Sequence, residues 1–214
     1  MQNFDILYND TELNSIISTI NDINKKFRSC HGKYHVDFVI RTIEYILQAL
    51  SYDKKIIELG KIAGLLHDIG NINGKKEHAK RSAKMCIKFL DKTNLTLADK
   101  EIIIHAIADH SNGDNISSAV GAALLIADKI DLSKDRVLPA GYNHIWHMNL
   151  LEISKIDIAI LNNIVTINYI TTNKFCKEIH VGEWSKGISV PIKASKYLNC
   201  NCIFMVNGVE TLLH

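Results

Sequence analysis

The chain has no Cys-x-x-Cys pair, no hydrophobic run of membrane-spanning length, no internal repeat and no strong charge of either sign. Each absence narrows what it can be. The five cysteines, Cys30, Cys86, Cys176, Cys200 and Cys202, are odd in number, so neither a disulfide framework nor a thiolate zinc site is expected, and reduced cysteines in a cytoplasm fit best. A formal charge of +2 makes no basic field that would argue for nucleic acid as the main partner. The most apolar run, Val120 to Ala127, falls well short of the ~20 residues a membrane helix needs. The opening MQNFDILYND lacks the basic and apolar regions of an export signal, so the expectation is a cytoplasmic protein with no membrane partner.

What is present is an ordinary globular composition, 47% hydrophobic and 22% charged over 214 residues, enough for one good core or a core with a small appendage. Leu13, Ile16, Ile17, Ile20 and Ile23 predict an amphipathic helix over residues 11 to 28. From His35 to Leu50 the set Val36, Val39, Ile40, Ile43, Ile46, Leu47 and Leu50 repeats at helical spacing, and His35 leads its buried edge. His31 comes four residues earlier and falls outside the regular pattern. Residues 56 to 66 are apolar on nearly all sides, with Gly60 and Gly64 admitting close neighbours, and deliver His67 and Asp68 at the helix end. A buried carboxylate is costly unless it is paired or holds a metal, and adjacent imidazole and carboxylate groups are natural ligands of a first-row divalent ion.

The loop Asn71 to Lys76 turns the chain, and His78 opens the next helix close enough in sequence to converge on Asp68. Thr96-Leu97-Ala98-Asp99 reads as a capping box. In the helix it opens, Ile103, Ile107 and His110 share the inward face, whereas His105 lies with Glu101 and Asp109 and is expected behind the ligands or at solvent. Ser117 to Ile130 is apolar all round, so Asp128 within it needs a partner. Asp131, Asp135 and Arg136 read as a solvated turn.

After Pro139 the pattern changes to a predicted hairpin through Asn162-Asn163, a helical stretch with Pro191 near its start, a strand at Cys202 to Val206 and a turn at Asn207-Gly208. The expected division is therefore 1–140, a mainly α helical metal-binding body, and 141–214, a small C-terminal α+β extension. His144 and His147 have a metal-compatible spacing but no third ligand nearby, and packing is the reading preferred for them.

His35-Val36-Asp37-Phe38-Val39, then Gly64-Leu65-Leu66-His67-Asp68-Ile69-Gly70, then His78, His110 and Ala127-Asp128-Lys129-Ile130 together resemble the HD superfamily of metal-dependent phosphohydrolases. The stretch around Asp109-His110, with Asp128 and Arg136, is nearest to the branch of bacterial symmetrical dinucleoside tetraphosphate hydrolases. Phe38 and Asn71 stand where that superfamily often has basic residues, and no Gly-Tyr-Pro follows His110, which argues against an HD-GYP phosphodiesterase. The resemblance implies an HD-domain helical bundle. It implies that His35, His67, Asp68 and Asp128 hold one divalent ion, and that Asp68 bridges to a second held by His78 and His110. Such a nitrogen and carboxylate set suits iron, manganese or cobalt and accepts magnesium, nickel or zinc.

The implied reaction is attack by a metal-activated hydroxide on a phosphoester or phosphoanhydride of a nucleotide or other small phosphate compound. Asp68, Asp128 and His67 are its central residues, and Lys33, Lys75, Lys76, Arg81, Lys129 and Arg136 are candidate phosphate contacts. The alternative is a metal- or nucleotide-binding regulatory module without catalysis. A homo-oligomer is compatible with either.

Overall fold

The computed structural model describes residues 2–23, 29–176 and 185–210. Two short helices, α1 (Asn3–Tyr8) and α2 (Thr11–Ile23), precede α3 (Lys33–Ala49) and α4 (Lys54–Leu66). The last part of the helix expected over 11 to 28 lies outside the described residues. A 3₁₀ turn over Ile69–Asn73 leads to α5 (His78–Leu90), followed by α6 (Leu97–Asp109) and α7 (Ala119–Ile130). Two further 3₁₀ turns, Lys134–Arg136 and Pro139–Gly141, and the short α8 (Ile145–Leu151) close the helical part.

The bundle is assembled around α7, which packs against α3, α4 and α6. Val120 through Ala127 are all buried, as expected of a helix with no polar face. Its entry is fixed by the Ser118 side chain, which accepts from the Gly121 amide at 3.1 Å. The capping box at the start of α6 is formed as the sequence predicts, Thr96 taking the Asp99 amide and Asp99 the Thr96 amide. Asp53 likewise caps α4 through the Ile56 amide at 2.8 Å.

The approach of α3 to α4 sets the distance between His35 and His67. A Cβ at Gly60 would stand 2.7 Å from Ile43 Cγ2, and one at Gly64 would stand 2.9 Å from Ile43 Cδ1. Glycine at these two positions lets α3 side chains pack directly on the α4 backbone, and a larger residue there would have to displace Ile43.

The C-terminal part is a four-stranded sheet in the order β1-β2-β3-β4, comprising β1 (Ile153–Leu161), β2 (Ile164–Thr171), β3 (Asn201–Val206) and β4 (Val209–Glu210). β1 and β2 form the expected antiparallel hairpin, with Asn162 and Asn163 both at positive φ, as a two-residue hairpin turn requires. β2 and β3 are parallel and are joined through α9 (Ser185–Tyr197). Pro191 sits inside α9 rather than near its start, because the helix begins well before the apolar stretch from which the sequence reading placed it. α9 packs on α7, and Lys193 donates to the Gly113 carbonyl at 2.6 Å. The sheet and α9 thereby brace the back of the helix that carries Asp128. Cys30, Cys86, Cys200 and Cys202 form no disulfide, and no helix among the described residues is long and apolar enough to cross a membrane.

Candidate metal centre

Three of the histidines are turned inward by one local device. His67 caps the C-terminal end of α4, and its Nδ1 donates to the Gly64 carbonyl at 2.8 Å. His110 caps α6, and its Nδ1 donates to the Ile107 carbonyl at 2.6 Å. Both carbonyls belong to a last helical turn, where backbone acceptors lack intrahelical donors. His78, the first residue of α5, repeats the three-residue reach with its Nδ1 on the Lys75 carbonyl at 2.9 Å. With the proton held on Nδ1, each ring presents an unprotonated Nε2 to the centre.

His35 reaches the same state through a carboxylate. Its Nδ1 lies 2.7 Å from Asp131 Oδ2 and 2.7 Å from Arg136 Nη1. The proton belongs on Nδ1 and is given to Asp131, since a lone pair there would face the carboxylate oxygen at the same distance. Arg136 also donates to Asp131, through Nη1 to Oδ2 at 3.3 Å and to the backbone oxygen at 3.2 Å. The turn expected to be solvated is thus corrected: Asp131 is 1% exposed and Arg136 8% exposed. The reason is that Asp131 lies between Ile130 and Leu132, both buried, and its charge is neutralised by Arg136.

The inward nitrogens crowd together. His35 Nε2 and His67 Nε2 are 3.2 Å apart, and His78 Nε2 and His110 Nε2 are 3.1 Å apart. In each pair both Nδ1 protons are already committed, so two lone pairs face each other unless a cation or a proton stands between them. Asp68 lies between the pairs. Its Oδ2 is 3.7 Å from His35 Nε2 and 3.5 Å from His67 Nε2, whereas its Oδ1 is 3.3 Å from His78 Nε2 and 3.5 Å from His110 Nε2. Asp128 Oδ1 joins the first group, 3.2 Å from His35 Nε2 and 3.8 Å from His67 Nε2, while its Oδ2 accepts from Lys129 at 2.5 Å. The structure therefore brings together His35, His67, Asp68, His78, His110 and Asp128. They form two nitrogen-rich clusters with one oxygen of Asp68 facing each.

Electrostatics agree with a place that attracts cations. Burial opposes the charged form of Asp68, yet the neighbouring His67 and His31, the latter within hydrogen-bond distance, hold its carboxyl well below the usual range. Asp128 is likewise held low against burial, by Lys129 and His35. Burial disfavours a charged His67, but Asp68 and Asp128 outweigh it and raise that imidazole. Burial pushes His78 down, and His31 down to about 4, so both are in the neutral form that can ligate a metal. Several such groups lie near enough to share an ion, among them the set His35, His67 and Asp128 and the set His67, Asp68 and His110. The donor set fits a divalent transition metal.

One edge of the centre opens into a cavity of about 700 Å³ lined by Asp68, His78 and Asp128; His35, His67 and His110 are fully buried behind them. Lys75, Lys129 and Arg136 line this cavity. Arg81 is directed elsewhere, its guanidinium bonded to the Gly70 carbonyl at 3.1 Å and to the Gly74 carbonyl, where it braces the 3₁₀ turn. Lys33 is engaged by Asp37 at 2.5 Å and by Tyr8 at 2.6 Å. His105 is exposed, and Asp109 bonds the amides of Asp114 and Asn115. Trp146, His147 and Leu150 of α8 line the cavity too, with His147 Nε2 3.1 Å from Ser29 Oγ and its Nδ1 3.2 Å from His144 Nδ1.

His31 and Asp131 are the site residues that the sequence reading missed. The apolar neighbours of Asp131 were a usable signal. No periodicity pointed at His31, which precedes α3 and reaches Asp68 Oδ2 from a loop at 2.7 Å.

Comparison with known families matches the HD domain over residues 34–144. The chain belongs to the HD domain family. The matched stretch contains all six clustered residues and excludes His31. Among solved structures, a predicted HD superfamily hydrolase from an uncultured Thermotogales bacterium is 22% identical, with a TM-score of 0.47, over 57% of this chain and 67% of that one. No curated protein matches.

Proposed function

We propose that this HD-family protein is a metal-dependent phosphohydrolase acting on a nucleotide or another small phosphate compound. The observation that carries the reading is the pairing of unprotonated Nε2 atoms at 3.2 Å and 3.1 Å on either side of one buried carboxylate. His35, His67, Asp128 and Asp68 through Oδ2 would hold one divalent ion, and His78, His110 and Asp68 through Oδ1 a second. Iron, manganese or cobalt suits this donor set best. Divalent ions bound there would acidify a water and neutralise charge on phosphoryl oxygens.

The chain's own residues supply the rest. Asp128 lines the cavity, and its carboxylate can accept a hydrogen bond from an attacking water. Lys75 and Arg136 offer positive charge to a phosphate. Nη1 of Arg136 is committed to Asp131, which holds the guanidinium in one orientation before substrate arrives. A cavity of about 700 Å³ is far larger than a phosphate ion needs and lies in the range of small-molecule sites, which supports a substrate carrying an organic group. Symmetrical dinucleoside tetraphosphates are the first class to assay, on the strength of the sequence around His110, Asp128 and Arg136.

The test is Asp68→Ala, with hydrolysis of a phosphoester and phosphoanhydride panel and elemental analysis of bound metal measured side by side. Turnover and metal uptake are expected to vanish while the helical circular dichroism remains. Full activity in the variant would overturn the reading. A metal-loaded wild type that binds nucleotide yet hydrolyses nothing on the panel would favour a regulatory module.

A further inference from the structure

The bridging role given to Asp68 leaves one matter open, namely what orients its carboxylate. The side chain is short but free to turn about its last bond, and it is 3% exposed. Four of the five imidazoles around it show it a lone pair, because their Nδ1 protons are spent on Asp131, Gly64, Lys75 and Ile107. A lone pair offers a carboxylate oxygen no hydrogen bond. His31 is turned the other way round. Its Nδ1 meets Asp68 Oδ2 at 2.7 Å, shorter than the 3.3 to 3.7 Å separating Asp68 from the other rings.

The loop that carries His31 is itself pinned. The Cys30 amide donates to the Arg136 carbonyl at 2.7 Å, Ser29 pairs with Val137 in an antiparallel bridge, and Cys30 Sγ contacts Asn21 Oδ1 at 3.2 Å. A Cβ at Gly32 would come within 2.6 Å of Asn21 Cβ, so the backbone beside His31 lies directly on α2. The imidazole is thus anchored from both sides, 14% exposed at the cavity wall.

We propose that His31 is a positioning residue for the metal centre: by donating its Nδ1 proton to Asp68 Oδ2 it fixes the carboxylate plane so that Oδ1 serves the His78–His110 cluster and Oδ2 the His35–His67 cluster. A carboxylate oxygen has two lone pairs, so Oδ2 keeps the His31 proton while its other lone pair faces the cluster. The proposal rests on the two-ion reading above. It assigns a role to a residue outside the stretch matched by the family, and it makes bridging depend on a hydrogen bond rather than on the ligands alone.

The test uses manganese as the probe and compares His31→Ala, His31→Gln and His31→Asn with the wild type. The side-chain nitrogen of asparagine is as many bonds from Cα as Nδ1 is, whereas that of glutamine corresponds to Nε2, so asparagine alone can replace the donor. Binding isotherms should show two equivalents in the wild type and in His31→Asn, and loss of the hydrogen bond to Asp68 Oδ2 in the other two variants should weaken the second equivalent roughly 10- to 100-fold. The electron paramagnetic resonance spectrum should show an exchange-coupled manganese pair in the wild type and in His31→Asn, and uncoupled manganese in His31→Gln. Two coupled ions in His31→Ala at wild-type affinity would overturn the role of His31 alone, as would equal behaviour of the asparagine and glutamine variants. A wild type that takes up fewer than two ions would overturn the two-ion reading and this proposal together.

Discussion

Replacing Gly70 by alanine should damage the metal centre from a position that touches no metal-type ligand side chain. Gly70 follows His67-Asp68-Ile69 and needs no unusual backbone conformation; its smallness serves a close approach. A Cβ built there would lie 2.4 Å from the His78 carbonyl oxygen, 2.6 Å from the Ser82 amide nitrogen and 2.8 Å from Ser82 Oγ. The first two are backbone atoms of α5, so no rotamer change relieves them. The first turn of α5 must move by at least about 0.6 Å, an overpacking strain of about 1–3 kcal/mol. The bond from the Gly70 amide to Ser82 Oγ, 2.8 Å long, is lost with it at about 1 kcal/mol. Together they lower the melting temperature by roughly 5–15 °C for a chain of this size. His78 rides on the displaced turn, so its Nε2 leaves its place 3.1 Å from His110 Nε2 and 3.3 Å from Asp68 Oδ1. The expected result in a metal titration is one retained equivalent and a second weakened by roughly 10- to 100-fold, a change of the size seen when a ligand loses its support. Gly121→Ala is the control, because its nearest neighbours stand at 3.5 Å and beyond and alanine in a helix is favoured by up to about 1 kcal/mol. A Gly70→Ala variant with wild-type melting and two full equivalents would refute the reasoning.

Asp131→Asn removes the charge that both His35 and Arg136 use; calorimetry should show metal affinity down roughly tenfold or more and stability down by about 3 kcal/mol, since a buried guanidinium is left unpaired. Thr96→Ala should cost about 1 kcal/mol in denaturant unfolding by breaking the cap on α6, without changing metal stoichiometry. Asp99, its partner, is held below the usual carboxylate range because bonds from Lys55 and Thr96 outweigh the opposing effect of burial. Its contribution is therefore complete above the unfolded pKa and is lost as pH falls through the folded one; Asp99→Asn should flatten that part of the acid limb of a stability-against-pH curve.

The helices were legible because each carries its own signal: a cap at Thr96 and an unbroken apolar surface on α7. The six clustered residues were legible for a related reason, since His67 and His110 terminate helices whose inner faces are readable from spacing. Pro191 misled, because proline marks a first turn more often than an interior, and here the helix runs on both sides of it. His31 was hidden for lack of periodicity in the loop that holds it. The far wall of the cavity was hidden too, because Trp146 and Leu150 meet the centre only through tertiary packing.

The way the site is built ties the geometry of the candidate metal centre to helix packing in this chain. His67, His110 and His78 take their ring orientation from a carbonyl three residues back, so each Nε2 has little freedom of its own and moves with its helix end. The centre then inherits its dimensions from the contacts of α3 with α4 and of α5 with the 3₁₀ turn, and those contacts are set by Gly60, Gly64 and Gly70. A side chain added at any of the three acts as a lever on the distance between two imidazoles. The carboxylates are governed differently: Asp68 answers to His31, and Asp128 to Lys129 at 2.5 Å. Glycine substitutions should therefore change which ions fit, through spacing, while substitutions at His31 or Lys129 should change how strongly they are held, through the carboxylate charge and its direction.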